Sequence, residues 1–194
     1  MMKHSIKAAV WGRVAVIFCA VILSGFVTLL GLDRLKGCSV STKEATSLLT
    51  MALNAEKAHY SWIENLSSAI GLDTEFTGST DYTACTLGQW IYQTDRSTLP
   101  SQDIVDLMEK IEPLHKEIHE SASEILLLKQ TDPGQAKTLY LESTKANVTK
   151  LVGLLDEIIN VANKQVSIDE RGLETSIIFT VIISIFTVVL TLVM

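Results

Sequence analysis

Two uncharged apolar runs, set at opposite ends of a polar middle, limit how this chain can fold more than any other feature. Val14 to Leu32 is 19 residues without a charge, and Thr175 to Met194 is 20. At 1.5 Å of rise per residue, either would cross a hydrocarbon core of ~30 Å as a helix. The first run exceeds the apolar stretch of roughly 7–15 residues found in a cleaved signal. Leu35-Lys36-Gly37-Cys38 imitates a lipoprotein cleavage box, but Asp33, Arg34 and Lys36 break the apolar continuity such a box needs. The run reads as an uncleaved anchor.

Charge sets the expected orientation. Lys3, Lys7 and Arg13 precede the first run with no acidic residue among them. Between the runs, 13 Lys and Arg stand against 22 Asp and Glu, a net charge of −9. Basic flanks stay cytoplasmic, and long loops cross whatever their charge. The expected order is a cytoplasmic tail over 1–13, a transmembrane helix over 14–32, a periplasmic or extracellular domain over 33–174, and a second transmembrane helix over 175–194. The expectation is a two-pass protein of the inner (plasma) membrane. A domain so acidic is a poor partner for nucleic acid.

Helical periodicity runs through the domain, and no stretch alternates as a strand would. Leu48, Ala52, Ala55, His59, Trp62, Leu66 and Ala69 recur at spacings of three and four and form one seam, ending near Gly71. The breaker-rich LDTEFTGSTD follows. A short helix is expected over about Tyr82–Tyr92, then a loop over Gln93–Pro100. A third helix starts after Ser101, a good N-cap, and aligns Met108, Ile111, His115, Ile118, Ala122 and Leu126. Pro113 is expected to kink or restart it. Asp132-Pro133-Gly134 reads as a turn. The fourth helix aligns Leu141, Val148, Leu151, Leu155, Ile158 and Ala162 and continues into the second run. The fold class expected is all-α: an antiparallel four-helix bundle flanked by two transmembrane helices.

Three of the four histidines and one of the three cysteines fall inside this bundle. Singly, each has an ordinary explanation as a packed core residue. Together they do not. His115 and His119 share one helix face. His59 stands 12 residues before Gly71, and His119 stands 11 before Gln130, so helices ending at similar heights bring them level. The ten-residue loop Leu72 to Asp81 is long enough to bring Cys85 to the same height. Three imidazoles and one thiolate make a tetrahedral set suited to zinc, not to oxygen-seeking cations.

Rival chemistries fit less well. HKEIH is not HExxH: Glu117 is displaced by one residue, about 100° around a helix. Four protein ligands also leave no place for an activated water, and no nucleophile–base pair or phosphate loop is evident. The chain is not expected to be an enzyme. Cys38 lies 21 residues before His59 on one helix, about 30 Å away and far beyond the ~7 Å limit for a disulfide with a Cys85 near His59. It could bridge to its copy in a parallel dimer near the membrane.

His59 followed by Trp62, then Cys85-Thr86-Leu87-Gly88-Gln89-Trp90, then Leu114-His115 and His119, resembles the chemoreceptor zinc-binding domain family. That family's pattern is a histidine, a Cys-x-aliphatic/aromatic-Gly-x-Trp motif, and a closing pair of histidines four apart. The resemblance spans His59 to Glu124. It implies a four-helix bundle holding one zinc through His59, Cys85, His115 and His119, usually in a homodimer. It implies a sensory role in chemotaxis receptors or diguanylate cyclases, with zinc availability or oxidation of the cysteine by agents such as hypochlorous acid as the input. Gly88 and Trp90 are expected to serve packing, as a close helix approach and an apolar wall beside the site.

Two departures bear on that role. Most members are soluble cytoplasmic modules, whereas this domain is expected between two spans. No linker, methylation helix or cyclase domain precedes Met194, so a chemotaxis or cyclic-di-GMP output would come from a continuation or a partner. Two other readings stay open: a small-ligand receptor bundle in which zinc is only structural, and a stand-alone membrane metal-binding protein.

Overall fold

The computed structural model describes residues 2–193, with side chains from Val10 onward. The side chains of Lys3 and Lys7, and Met194, lie outside the described residues. Among those described there is no strand. The order is α1 (Met2–Gly71), α2 (Thr86–Gln93), a 3₁₀ turn (Arg96–Thr98), α3 (Gln102–Thr131), α4 (Pro133–Leu139), a π-helical turn (Tyr140–Thr144) and α5 (Lys145–Val193). Two compact units divide the chain: Glu44–Gln165, and the residues up to Lys43 together with those from Val166 onward.

The outer unit contains both apolar runs. Each supplies a window of 18 residues, none of them buried, long and apolar enough to cross a membrane. Phe18, Phe26, Phe179 and Phe186 are exposed there. The segment expected as a tail over 1–13 is helical from Met2.

The inner unit is the bundle. Its core draws Leu48, Ala52, Ala55 and Leu66 from α1, Leu87 and Ile91 from α2, Ile104, Met108, Ile111 and Ile118 from α3, and Val148, Leu151, Leu155 and Ile158 from α5. These are the seams read from periodicity, with local shifts. Ile63 and Ile125 are buried where Trp62 and Leu126 were expected, each of which is half-buried. The helices α3 and α5 run antiparallel: Ser121 meets Thr144, while residues 103–110 flank residues 157–161.

Capping chemistry explains the boundaries that differ from expectation. The helix α2 starts at Thr86, not Tyr82. Asp81 Oδ1 accepts from both the Thr83 N–H and its hydroxyl, an Asx turn that holds Tyr82–Thr83 out of the helix. The Gln93–Pro100 loop contains the 3₁₀ turn because the Asp95 side chain caps it at Ser97. Pro113 does not restart α3, which runs unbroken to Thr131. Pro113 and Glu109 are both exposed, so the carbonyl deprived of its N–H partner lies on the face open to water. Asp132 alone separates α3 from α4, as C-cap of one and N-cap of the other, with Pro133 preset for the first helical position.

The π turn corrects the fourth helix. Its core stripe reads Ala136, Tyr140, Thr144, Val148, Leu151, with three consecutive steps of four. A regular helix averages 3.6, so the wide turn absorbs about one extra residue. Tyr140 therefore faces inward and Leu141, expected in the core, is exposed.

Candidate metal centre

The structure brings all four candidate ligands together. His59 comes from α1, Cys85 from the N-cap of α2, and His115 and His119 from α3. One ligand atom from each lies within 4.8 Å of the others. The histidines are buried and Cys85 is half-buried. Tetrahedral zinc with bonds of about 2.0–2.3 Å separates its ligand atoms by roughly 3.3–3.7 Å. At its widest, 4.8 Å, the set is thus about 1.1–1.5 Å more open than coordination would make it.

Local structure explains each placement. The four-residue spacing brings His115 and His119 edge-on with ring centroids 4.7 Å apart, and His59 meets them edge-on at 5.2 and 6.0 Å. Cys85 Sγ accepts from the Gly88 N–H at 3.3 Å, so the thiol serves as the helix cap. Gly88 is required because a Cβ there would collide with the Tyr82 carbonyl oxygen. Its close approach is to loop backbone, not to a second helix as expected, and it seats the turn that delivers Cys85. Trp90 also departs from expectation. It lines a hollow with Leu48, Met51, Leu99 and Pro100, two to three helical turns from His59 along α1. The aromatic wall beside the site is Trp62, 5.0 Å from the His119 ring.

Hydrogen bonds fix two of the three imidazoles. His59 Nδ1 lies 2.7 Å from the Ala55 carbonyl and His119 Nδ1 lies 3.0 Å from the Ser79 carbonyl. A carbonyl can only accept, so both Nδ1 atoms carry the proton and both Nε2 atoms keep a free lone pair. His119 Nε2 is buried with no partner among the described residues. His115 differs: its Nε2 sits 3.2 Å from Cys85 Sγ, while its Nδ1 is the partnerless buried atom. A buried lone pair with no donor is costly, and a cation at the centre of the four would take up that of His119 Nε2. The residues fit a metal.

Burial also sets the protonation states. His115 is lowered to about 3 by burial, with help from His119 and His59. His119 is lowered to about 4 by burial and then by His59, against the Ser79 hydrogen bond and Asp81. Burial lowers His59 as well, opposed by the Ala55 carbonyl. The Cys85 thiol is raised by burial, opposed by the Gly88 N–H. At neutral pH the three imidazoles are therefore ready ligands, and the thiol holds the proton that a metal must displace.

Residues 59–126 match the family model of the chemoreceptor zinc-binding domain, which opens on His59 and takes in all four candidate ligands. This segment is a chemoreceptor zinc-binding domain. No curated protein and no solved structure matches the chain. The zinc-binding domain occupies the bundle from the last 13 residues of α1 to near the end of α3, and both apolar runs lie outside it. Two contributors escaped the sequence reading. The Ser79 carbonyl orients His119, and the Asn65 side chain accepts from the Thr77 and Gly78 N–H groups to hold the loop that carries Ser79. Asn65 sits two turns beyond His59, which was the one available signal.

Proposed function

We propose that this chain is a two-pass membrane sensor. Its bundle faces the periplasm or extracellular space and holds one zinc ion through His59, Cys85, His115 and His119. The observation that carries this reading is the convergence of four donor atoms within 4.8 Å, two of them lone pairs preset by backbone carbonyls. Three imidazoles and a sulfur favour zinc over hard, oxygen-seeking cations. The apolar runs and the basic N-terminal flank support the membrane orientation.

Bound zinc would supply the charge that keeps Cys85 a thiolate in a site whose burial otherwise favours the thiol. The half-exposed sulfur is then the oxidisable group. The thiolate gives two electrons to hypochlorous acid, forming sulfenic acid and releasing chloride. Losing one ligand of four loosens the start of α2, and with it the packing on α1 and α3. The sensor acts as a homodimer and passes its state to a chemotaxis or cyclic-di-GMP output module. It performs no catalysis.

Metal analysis of the purified chain in detergent, before and after hypochlorous acid, tests this. Wild type is expected to carry about one zinc per chain and to release it on oxidation. Cys85→Ser should hold zinc more weakly and lose the oxidant response. Zinc near zero under reducing, zinc-replete conditions would sink the site assignment. Equal release from both proteins would sink the redox role and leave zinc availability as the signal.

A further inference from the structure

The mostly exposed segment between α1 and α2 is tied to the bundle by bonds that converge beside one metal ligand. The Ser79 carbonyl accepts two hydrogen bonds, from Trp62 Nε1–H at 2.9 Å and from His119 Nδ1–H at 3.0 Å. Trp62 is one turn beyond His59 on α1, and its ring lies tilted 5.0 Å from that of His119. Phe76 packs edge-on against Trp62 at 5.6 Å. A Cβ at Gly78 would strike both of those rings, so the chain lies flat against Trp62 just before Ser79.

We propose that Trp62 is a positioning residue for the metal centre: through the Ser79 carbonyl it shares with His119, it orients that imidazole and latches the 72–84 segment over the site. The proposal rests on the metal-binding reading above. Its logic is that of an outer shell. A carbonyl held in place by the indole N–H presents a fixed acceptor, which keeps the proton on His119 Nδ1 and aims Nε2 at the other three donors. The linkage also runs the other way. A cation on Nε2 forbids the alternative tautomer, so an occupied centre keeps Nδ1–H donating and the segment closed. Without it, His119 can place its proton on Nε2, and its bond to Ser79 is lost.

The test uses the full chain in detergent with zinc and cobalt as probes, comparing wild type, Trp62→Phe and Phe76→Leu. Trp62→Phe keeps an aromatic ring but no donor, while Phe76→Leu disturbs the packing and leaves both hydrogen bonds. Trp62→Phe is expected to weaken zinc about tenfold in chelator competition. It should also shift the visible bands of the cobalt form and speed amide exchange over 72–84 with metal present. Phe76→Leu should speed exchange but leave the affinity and the cobalt spectrum as in wild type. A Trp62→Phe protein with wild-type affinity and spectrum overturns the positioning role, and so does an equal loss in both variants. If wild type itself binds neither metal, the metal reading fails and this proposal fails with it.

Discussion

The bundle has two interiors. One is apolar: Ile104, Leu107, Met108 and Ile111 of α3 and Leu155 and Ile158 of α5 belong to one buried hydrophobic cluster. The other, a few turns along α3, buries three imidazoles beside a thiol. The first is held by area and close packing, which need nothing from outside the chain. The second buries polar atoms that the chain itself satisfies only in part, because His119 Nε2, the lone pair aimed at the other donors, finds no partner among the described residues. The same fold is thus self-sufficient at one level and leaves room for a guest at the other.

Stripping metal with a chelator is the strongest way to expose that difference. Where free zinc stands a thousandfold above Kd, its removal is expected to cost about 4 kcal/mol, read as a fall in Tm. Identical melts with and without chelator would falsify the dependence. Acid then sharpens it in the metal-free protein. His115 and His119, at about 3 and about 4, lie below the 6.5 of an exposed imidazole. Protons therefore bind the unfolded chain first, and stability complete above about pH 6.5 should drain away as pH falls toward 4 and then 3. Above pH 9 the raised Cys85 thiol gives the opposite slope, since the unfolded thiol ionises first and stability falls as pH rises. Denaturant melts across pH 3–10 would reveal both limbs, and a flat profile would contradict the buried neutral cluster.

Core truncation probes the other interior. Ile158 belongs to the level of residues 103–110, about eight residues or 12 Å along α3 from His115. Ile158→Ala should cost about 2–5 kcal/mol, by urea denaturation, and leave zinc affinity unchanged. A coupled loss of affinity would show that the two levels are not independent. The smallest expected effect is Thr144→Val in the π turn. It removes the buried 2.8 Å bond to Ser121, whose hydroxyl still donates to the Ile118 carbonyl. About 1 kcal/mol of stability should be lost, again with unchanged metal binding.

What was legible in the sequence follows from what residue types encode. The four candidate ligands could be read because imidazole and thiol side chains are scarce and their spacing fixes their faces. Most of the core could be read because apolar stripes at helical period must face inward. The Ser79 carbonyl could not, since any residue supplies a carbonyl and only the path of the loop aims it. The choice between Trp62 and Trp90 as the wall of the site depended on where α2 begins. The Asp81 turn moved that start by four residues. Leu141 failed for another reason: nothing in YLEST distinguishes a π turn from an ordinary one, and the wide turn shifts the stripe without changing its composition.

That wide turn also marks where the chain length can vary. Deleting one residue within 140–144 would turn it into an ordinary helical turn, with Ala136 and Val148 both kept toward the core. Between His115 and His119 the same deletion would swing one imidazole about 100° away from the other and take the centre apart. The run from α4 into α5 has slack for a lost codon, and α3 between its two histidines has none.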